Sequence, residues 1–179
     1  MRGQGSRGVT LVELLVVLGI LAALLAAILP FVIGQSGRGD LQRLVQDLRA
    51  VENAAKTFRV NVGRWPGKLT HLVVAPTAAD SDAFGSTYPA RLVRGWSGPY
   101  LELGSLPGDT LPTALGGVFL AKVDTLMWGG TPFVRVRVKG VPIDQTRKVS
   151  ELIDGDTLTT DGRVRARSDT LIYLISPGR

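Results

Sequence analysis

Side chains that could perform covalent chemistry are scarce in this chain. Its 179 residues include no cysteine and a single histidine, His71, so neither thiol chemistry nor a metal site built from several histidines can form. No serine lies in a nucleophile motif. His71 fits a short helix over residues 69–73, where a packing or surface role is favoured over catalysis. We therefore predict that the protein is not an enzyme.

Three aspartates near the C-terminus form the densest group of candidate metal ligands. Asp154 and Asp156 flank a glycine, and Asp161 follows shortly after them. Oxygen-rich loops suit calcium, which makes these three carboxylates a candidate calcium site. The spacing lacks a complete calcium-loop pattern and a downstream bidentate glutamate, and Asp-Gly pairs commonly form turns. A turn without a metal is therefore the favoured interpretation.

Two basic stripes are candidates for binding an anion. Residues 133–139 and 163–167 alternate apolar and basic side chains with a period of two, which predicts two strands that each bury one face. If the strands are neighbours, their cations repel unless an anion or acidic side chains lie between them. Nucleic acid would be such an anion, but a solvated face or a contact between subunits is favoured. The basic residues are Arg135, Arg137, Lys139, Arg163, Arg165 and Arg167.

One carboxylate, Glu13, precedes a long apolar segment. Residues 14–33 carry no charge, and a helix of that length spans roughly 30 Å, the thickness of a bilayer's hydrocarbon core. A charge within such a helix costs about 3 kcal/mol and is usually kept for a function, so we expect Glu13 to need a cationic partner. Arg2 and Arg7 also allow a plain signal anchor. A cleaved signal peptide is disfavoured because the run is too long and no small-residue cleavage pattern follows it.

Small residues recur every four positions in this segment, at Gly19, Ala23 and Ala27. Small side chains at that spacing let helices approach closely in an apolar medium. We therefore expect a packing face there, with a merely alanine-rich anchor as the alternative.

A break in the helix is predicted where the apolar segment ends. Pro30 precedes three glycines within residues 34–39, and each glycine costs up to about 1 kcal/mol relative to alanine in a helix. We expect a hinge or local unwinding before Asp40, which can cap a second helix. That helix should end near Gly63. Its apolar side chains, at the spacing of an amphipathic helix, are Leu41, Leu44, Val45, Leu48, Val51, Ala55 and Phe58.

The remaining segments predict a small α+β fold. Residues 171–175 form a third predicted strand, and residues 80–88 indicate a surface loop. Asp144 is expected to cap a short helix that ends near Gly155. Its apolar side chains are Val149, Leu152 and Ile153. The predicted fold is a long N-terminal helix, with a membrane-spanning half and an amphipathic half, packed against a small antiparallel sheet.

Three aromatic side chains in the middle of the chain are Trp65, Trp96 and Tyr100. Large aromatic residues are far more often core or interface residues than parts of a cofactor site. We predict that they close the core between the helix and the sheet.

The N-terminal segment resembles that of type IV pilins and type II secretion pseudopilins. The residues that carry the resemblance are the run Gly-Val-Thr-Leu-Val-Glu-Leu-Leu at 8–15, together with Pro30. In that family a prepilin peptidase cuts after the glycine and methylates the new N-terminus, which leaves glutamate as the fifth residue and proline as the twenty-second. The resemblance implies cleavage after Gly8, methylation of Val9, and the two family positions at Glu13 and Pro30. Val9 departs from the family's usual phenylalanine.

Four short motifs in the middle of the chain resemble the major pseudopilin of type II secretion by their order. They are Gly-Arg-Trp-Pro at 63–66, the short helix at 69–73, Trp-Ser-Gly-Pro-Tyr-Leu at 96–101 and Leu-Pro-Gly-Asp at 106–109. The match fades after residue 109. Major pseudopilins often hold calcium in a C-terminal loop, which is the implication for the aspartates at 154, 156 and 161.

The resemblance implies a pilin-like chain of three parts: a leader at 1–8, a transmembrane and filament-core helix with a hinge at 9–39, and a globular periplasmic domain at 40–179. It implies a single-pass inner-membrane protein that later joins a type II secretion pseudopilus. The implied partners are the prepilin peptidase, other copies, minor pseudopilins and an inner-membrane assembly platform. Glu13 would pair with the amine of Val9, its own or a neighbour's.

Two other functions stay open at this point. One is a pilin, as a minor subunit, of a surface type IV pilus that serves adhesion, motility or DNA uptake. The other is a membrane-tethered binding module that never polymerises, for which replacing Glu13 with alanine should change nothing.

Overall fold

The computed structural model describes residues 10–101 and 110–177, and the side chains of residues 28–38 lie outside the description. The chain divides into two compact units, with the division between Gly39 and Asp40. Among the described residues, no helix combines the length and the apolar character needed to cross a membrane.

The first element is the helix α1, Leu11–Val62. The helix continues through Pro30 and the glycines up to Gly39, so the predicted local unwinding is wrong, while a bend there stays a prediction. Glycine and proline each lower the stability of a helix locally. The helical turns on either side can offset that loss. Asp40 accordingly lies inside α1 and is not the N-cap of a second helix.

The predicted apolar stripe of α1 is confirmed, because each of its seven residues from Leu41 to Phe58 is buried in one core. The helix stops where predicted. Gly63 has a φ of +74°, and its amide donates a hydrogen bond to the carbonyl of Arg59 over 2.8 Å. A left-handed glycine directly after the last turn is a common end for a helix.

The α+β prediction is also confirmed, since an antiparallel sheet covers this half of α1. The described residues contain six strands: β1 Leu111–Pro112, β2 Val118–Phe119, β3 Asp124–Trp128, β4 Thr131–Lys139, β5 Val164–Arg167 and β6 Thr170–Pro177. The order across the sheet is β1-β2-β4-β6-β5, and β3 pairs with β4. The three predicted strands correspond to β4, β5 and β6.

Strand β6 is buried on both faces. Tyr173 pairs with Val136 of β4 and Val164 of β5, and all three belong to the core beneath α1. Ile172 and Leu174 alternate with Tyr173 and therefore lie on the opposite face. Their exposed fractions are nevertheless 7% and 0%. The outer face of the sheet thus carries a second, smaller apolar layer.

Three short helices complete the part of the fold that the structure describes: a 3-10 helix at Leu69–Leu72, α2 at Ala90–Val93 and α3 at Ile143–Ile153. The N-cap of α3 is Pro142 without a side-chain cap, and Asp144 lies in the first helical turn, so the predicted cap is wrong by two residues. Val149 is buried as predicted, whereas Leu152 is exposed. A proline before the first turn sets the backbone for helix entry without a capping side chain.

Candidate functional site

The structure describes the start of α1 but not the predicted cleavage point, because Gly8 and Val9 lie outside the described residues. The amide of Glu13 donates a hydrogen bond to Oγ1 of Thr10 over 3.3 Å, and the amide of Leu14 donates to the carbonyl of Thr10. Thr10 is therefore the N-cap, and Glu13 occupies the third helical position. A threonine followed three residues later by glutamate is the spacing of a capping box. The spacing can be read from the sequence, but the candidate residues predicted from the sequence did not include Thr10.

The small-residue face is open to solvent within its own unit. Gly19, Ala23 and Ala27 are exposed, and a methyl group added at Gly19 would meet no atom within 4 Å. Pro30 lies in α1, and its side chain is outside the description. The packing role of this face stays a prediction.

The three aspartates of the candidate calcium site do not converge. Among the described residues, no group of three or more carboxylate, histidine or cysteine side chains could hold a metal ion. Oδ2 of Asp154 accepts a hydrogen bond from the amide of Val164 at 2.8 Å, and Oδ1 of Asp156 accepts one from the amide of Leu158 at 2.9 Å. Asp161 lies 3.5 Å from Nη2 of Arg165. Asp154 and Asp156 thus accept hydrogen bonds from backbone amides and Asp161 pairs with an arginine, and calcium binding by these three carboxylates stays a prediction.

The two basic stripes are not neighbours, because β6 lies between β4 and β5. Acidic side chains partner several of the cations. Oδ1 of Asp124 lies 2.5 Å from Nε of Arg135, and Oδ2 of Asp124 lies 3.3 Å from Nη2 of Arg137. Lys139 and Arg167, at the far end of the strands, form no ion pair among the described residues. The outer face therefore keeps a positive balance that is smaller than the six basic residues suggest.

Arg163 does not belong to the outer stripe at all. Its guanidinium Nη2 donates to Oε2 of Glu52 on α1 over 2.6 Å and contacts the hydroxyl of Tyr173 at 2.7 Å. The Tyr173 hydroxyl also donates a short hydrogen bond to Glu52, and Lys56 donates to the other carboxylate oxygen. Burial raises the pKa of Glu52, but the hydrogen bonds from Lys56, Tyr173 and Arg163 outweigh it, so the net pKa lies below its usual value.

The hairpin formed by β3 and β4 reaches over the outer face of the sheet. The rings of Trp128 and Phe133 are 5.0 Å apart between centroids. The guanidinium carbon of Arg165, which lies two strands away from β4, is 4.9 Å from the Trp128 ring. A cation over an indole ring is a favourable contact. This contact holds Arg165 against the protein and helps to cover the outer apolar layer.

His71 packs in the interior, which is one of the two roles favoured from the sequence. Its Nδ1 lies 3.3 Å from the amide nitrogen of Gly67. Its Nε2 is 3.7 Å from Oδ1 of Asp80. Burial lowers the pKa of His71 despite the nearby charge of Asp80. The hydroxyl of Tyr88 contacts the same ring at 3.3 Å, so part of the predicted surface loop at 80–88 is core.

The three predicted aromatic lids are confirmed as packing residues. Trp65 is buried in the core, and Trp96 and Tyr100 pack against it while partly exposed. The indole of Trp96 donates to the carbonyl of His71 over 2.9 Å. The Tyr100 ring meets that of Phe58 edge to face at 5.8 Å. These contacts attach the loop of residues 96–101 to the 3-10 helix and to the last turns of α1.

Two kinds of comparison show which known proteins this chain is similar to. Residues 4–29 match a family model described as the prokaryotic N-terminal methylation motif. The chain is also similar to proteins named type II secretion system core protein G. It is 31% identical over 86 residues to the protein of Klebsiella pneumoniae, 33% over 109 residues to that of Aeromonas hydrophila and 35% over 74 residues to that of Escherichia coli K12.

The aligned regions differ in extent. They cover 48% of this chain and 61% of the Klebsiella pneumoniae protein, 58% and 76% for Aeromonas hydrophila, and 40% and 51% for Escherichia coli. The chain thus spans about three fifths of the first of these relatives and three quarters of the second. No solved structure matches the chain.

Proposed function

The chain belongs to the family of type II secretion system core protein G, and we propose that it is a structural subunit of a type II secretion pseudopilus. The observation that carries the proposal is the similarity to the Aeromonas hydrophila protein, which extends over 109 residues. That length is far greater than the methylation motif at residues 4–29. The likeness therefore includes the globular part and not only a processing signal that many exported filament proteins could share.

Processing is the first step of the proposed function. A prepilin peptidase would cut after Gly8 and methylate Val9, in keeping with the methylation motif. The new amine would then lie four residues before Glu13. A buried carboxylate needs an opposite charge or hydrogen bonds, and this amine, of the same or a neighbouring subunit, would supply both. Glu13 would thereby set the axial position of one subunit against the next.

Assembly is the second step. Before assembly the apolar segment would anchor the chain in the inner membrane, with residues 40–179 in the periplasm. In the fibre the same segment would pack against other copies and minor pseudopilins. Gly19, Ala23 and Ala27 are exposed, which leaves them available for close helix contacts. An inner-membrane assembly platform would be the partner that drives this transfer. No catalytic step by this chain is needed.

The processing step is tested by mass spectrometry of the mature protein from cells that contain the peptidase. We expect a chain that begins at methylated Val9. An intact Met1, or a cut at another position, would remove the basis of the proposal. Replacing Gly8 with alanine is a matched control, because it should leave the precursor uncut while changing no residue of the mature chain.

Assembly is tested separately by comparing Glu13→Ala with Glu151→Ala, an exposed carboxylate on α3. We expect loss of fibres and of protein secretion for the first variant only. Normal fibres in Glu13→Ala would contradict the assigned role of Glu13. A deletion strain that secretes normally but loses motility or DNA uptake would instead indicate a surface pilus.

A further inference from the structure

A shallow cavity of about 450 Å³ lies where α1 ends. Its lining includes Arg59 from the last turn of the helix, Arg64 and Trp65 from the segment that follows, and Asp82 and Phe84 from the loop at 80–88. Phe84 is exposed, although it is a large apolar side chain. The cavity lies wholly within residues 40–179, so it is independent of the N-terminal segment and its processing.

Among the described residues, the charges in this cavity leave one cation without an ion-pair partner. Nη1 of Arg64 lies 2.6 Å from Oδ2 of Asp82, and Oδ1 of Asp82 accepts hydrogen bonds from the amides of Phe84 and Ser86 at 2.9 Å. Asp82 is thus fully engaged. Arg59 forms no ion pair within the described residues, and its guanidinium carbon lies 4.8 Å from the ring of Trp65. The lining therefore carries a net charge of about +1.

Trp65, which lines the same cavity beside Arg59, carries a hydrogen-bond donor that is not used within the described residues. Its indole Nε1 is buried and has no hydrogen-bond partner among the described residues. Most buried polar groups in native proteins have a partner, so an exception needs an explanation. The ring of Phe84, which is exposed, offers apolar surface beside Arg59. The cavity therefore combines one positive charge with the rings of Phe84 and Trp65.

We propose that this cavity binds a carboxylate carried on a short apolar stem, as in an acidic side chain of another protein. Arg59 pairs with the carboxylate, and the stem contacts Phe84 and Trp65. A single negative charge matches the lining, whereas a phosphate group brings about −1.5 to −2. The C-terminal end of α1 adds negative potential through the helix dipole and further disfavours a dianion.

The test uses the full chain, labelled with ¹⁵N and held in a non-ionic detergent, and follows the indole N–H signals of its 3 tryptophans. Trp65→Phe identifies the Trp65 signal. Sodium propionate is the probe, propionamide is its uncharged match, and inorganic phosphate is the dianion. We expect a saturable shift of the Trp65 signal with propionate at millimolar concentration and none with propionamide.

Two variants and one control separate binding from folding. Arg59→Gln should weaken propionate binding at least about tenfold, in line with loss of a charge-assisted pair, and Phe84→Ala, at an exposed position, should weaken it severalfold. Arg43→Gln, on an exposed part of α1, should bind as the parent does. Absence of a saturable shift, an equal response to propionamide, tighter binding of phosphate, or unchanged binding in Arg59→Gln would each overturn the proposal.

Discussion

Arg163 and Glu52 form an ion pair at 2.6 Å although they are 111 residues apart in the sequence. The pair joins α1 to the segment just before β5, and Tyr173 of β6 shares the same carboxylate. Charged side chains that are largely buried are stable only when their partners are well placed. The contact therefore connects the helix with the two strands at one edge of the sheet.

Replacing Glu52 with glutamine should lower the free energy of unfolding by about 2 kcal/mol at neutral pH, because it leaves the guanidinium of Arg163 without its anion. Arg163 keeps some contact with water, with 39% of its side chain exposed, which limits the loss. Chemical denaturation of the full chain in detergent measures the effect. Glu151→Gln, on the exposed side of α3, is the control and should unfold as the parent does. A loss of equal size in both variants would contradict the role of the pair.

The pH dependence of this pair follows from the lowered pKa of Glu52. The unfolded chain binds a proton near the ordinary value of 4.5, whereas the folded chain holds the carboxylate ionised to lower pH. Its stabilising contribution is therefore complete above about 4.5 and is lost as the pH falls through the folded-state pKa. The difference in stability between the parent and Glu52→Gln should shrink in acid. A difference that stays constant from neutral pH to pH ~3 would contradict this linkage.

His71 should make the fold sensitive to mild acid. Its folded-state pKa lies below the ordinary 6.5 because the ring is buried, so the unfolded chain takes up a proton first as the pH falls. The stability it contributes is complete above 6.5 and is lost progressively below that value. Thermal unfolding of the parent and of His71→Asn, compared between about pH 7.5 and 5, measures this. The variant should be less stable throughout and should show a shallower decline; parallel curves would exclude His71 as the source.

Gly162 and Gly155 form a matched pair for testing the acidic turn. Both have φ close to +80°, at +81° and +82°. A methyl group at Gly162 would lie 2.7 Å from Oδ2 of Asp154, whereas one at Gly155 would meet nothing within 4 Å. We expect Gly155→Ala to lower the free energy of unfolding by about 1 kcal/mol from backbone strain alone. Gly162→Ala should lower it by about 2–3 kcal/mol, because Asp154 must also leave the amide of Val164. Equal losses would show that the carboxylate contact is unimportant.

The outer face of the sheet should not bind nucleic acid with measurable salt dependence. Asp124 and Asp161 partner three of the arginines, and Arg163 points to Glu52. Few phosphates could then be neutralised, and affinity for nucleic acid depends on that number. Gel-shift titration of the full chain with duplex DNA at two salt concentrations is the measurement. A tight complex that weakens steeply with salt, and that is lost in Arg137→Gln, would contradict this expectation.

The helices α1 and α3 and the strands β4, β5 and β6 could be predicted from the sequence because each carries a repeating or continuous apolar pattern, whereas α2 and β3 were not predicted. The stripe from Leu41 to Phe58 has the period of a helix, and β4 has the period of a strand. The strands β1 and β2 contain two residues each, which is too few to establish any period. They form only because Val118 and Phe119 find partners in β4, and a partner far along the chain leaves no local signal.

The contacts of the candidate functional residues were less predictable than the helices and strands, because most of them join segments that are distant in the sequence. Thr10 could have been found from its spacing to Glu13. The partner of Arg163 could not, because the alternation in residues 163–167 predicts an outward side chain, and only the strand order brings it to Glu52. Strand order also separated the two basic stripes. Both results depend on contacts between distant segments, which local periodicity does not encode.

The burial of β6 on both faces has a consequence for how the sheet selects its pairing. Residues 171–175 are all apolar or aromatic and all buried, so a slip of β6 by one residue would exchange one apolar face for another. In most strands such a slip exposes the core side chains and is strongly disfavoured. Here the hydrophobic pattern gives little discrimination. The hydroxyl of Tyr173 supplies it, because only the native alignment turns that group toward Glu52 and Arg163.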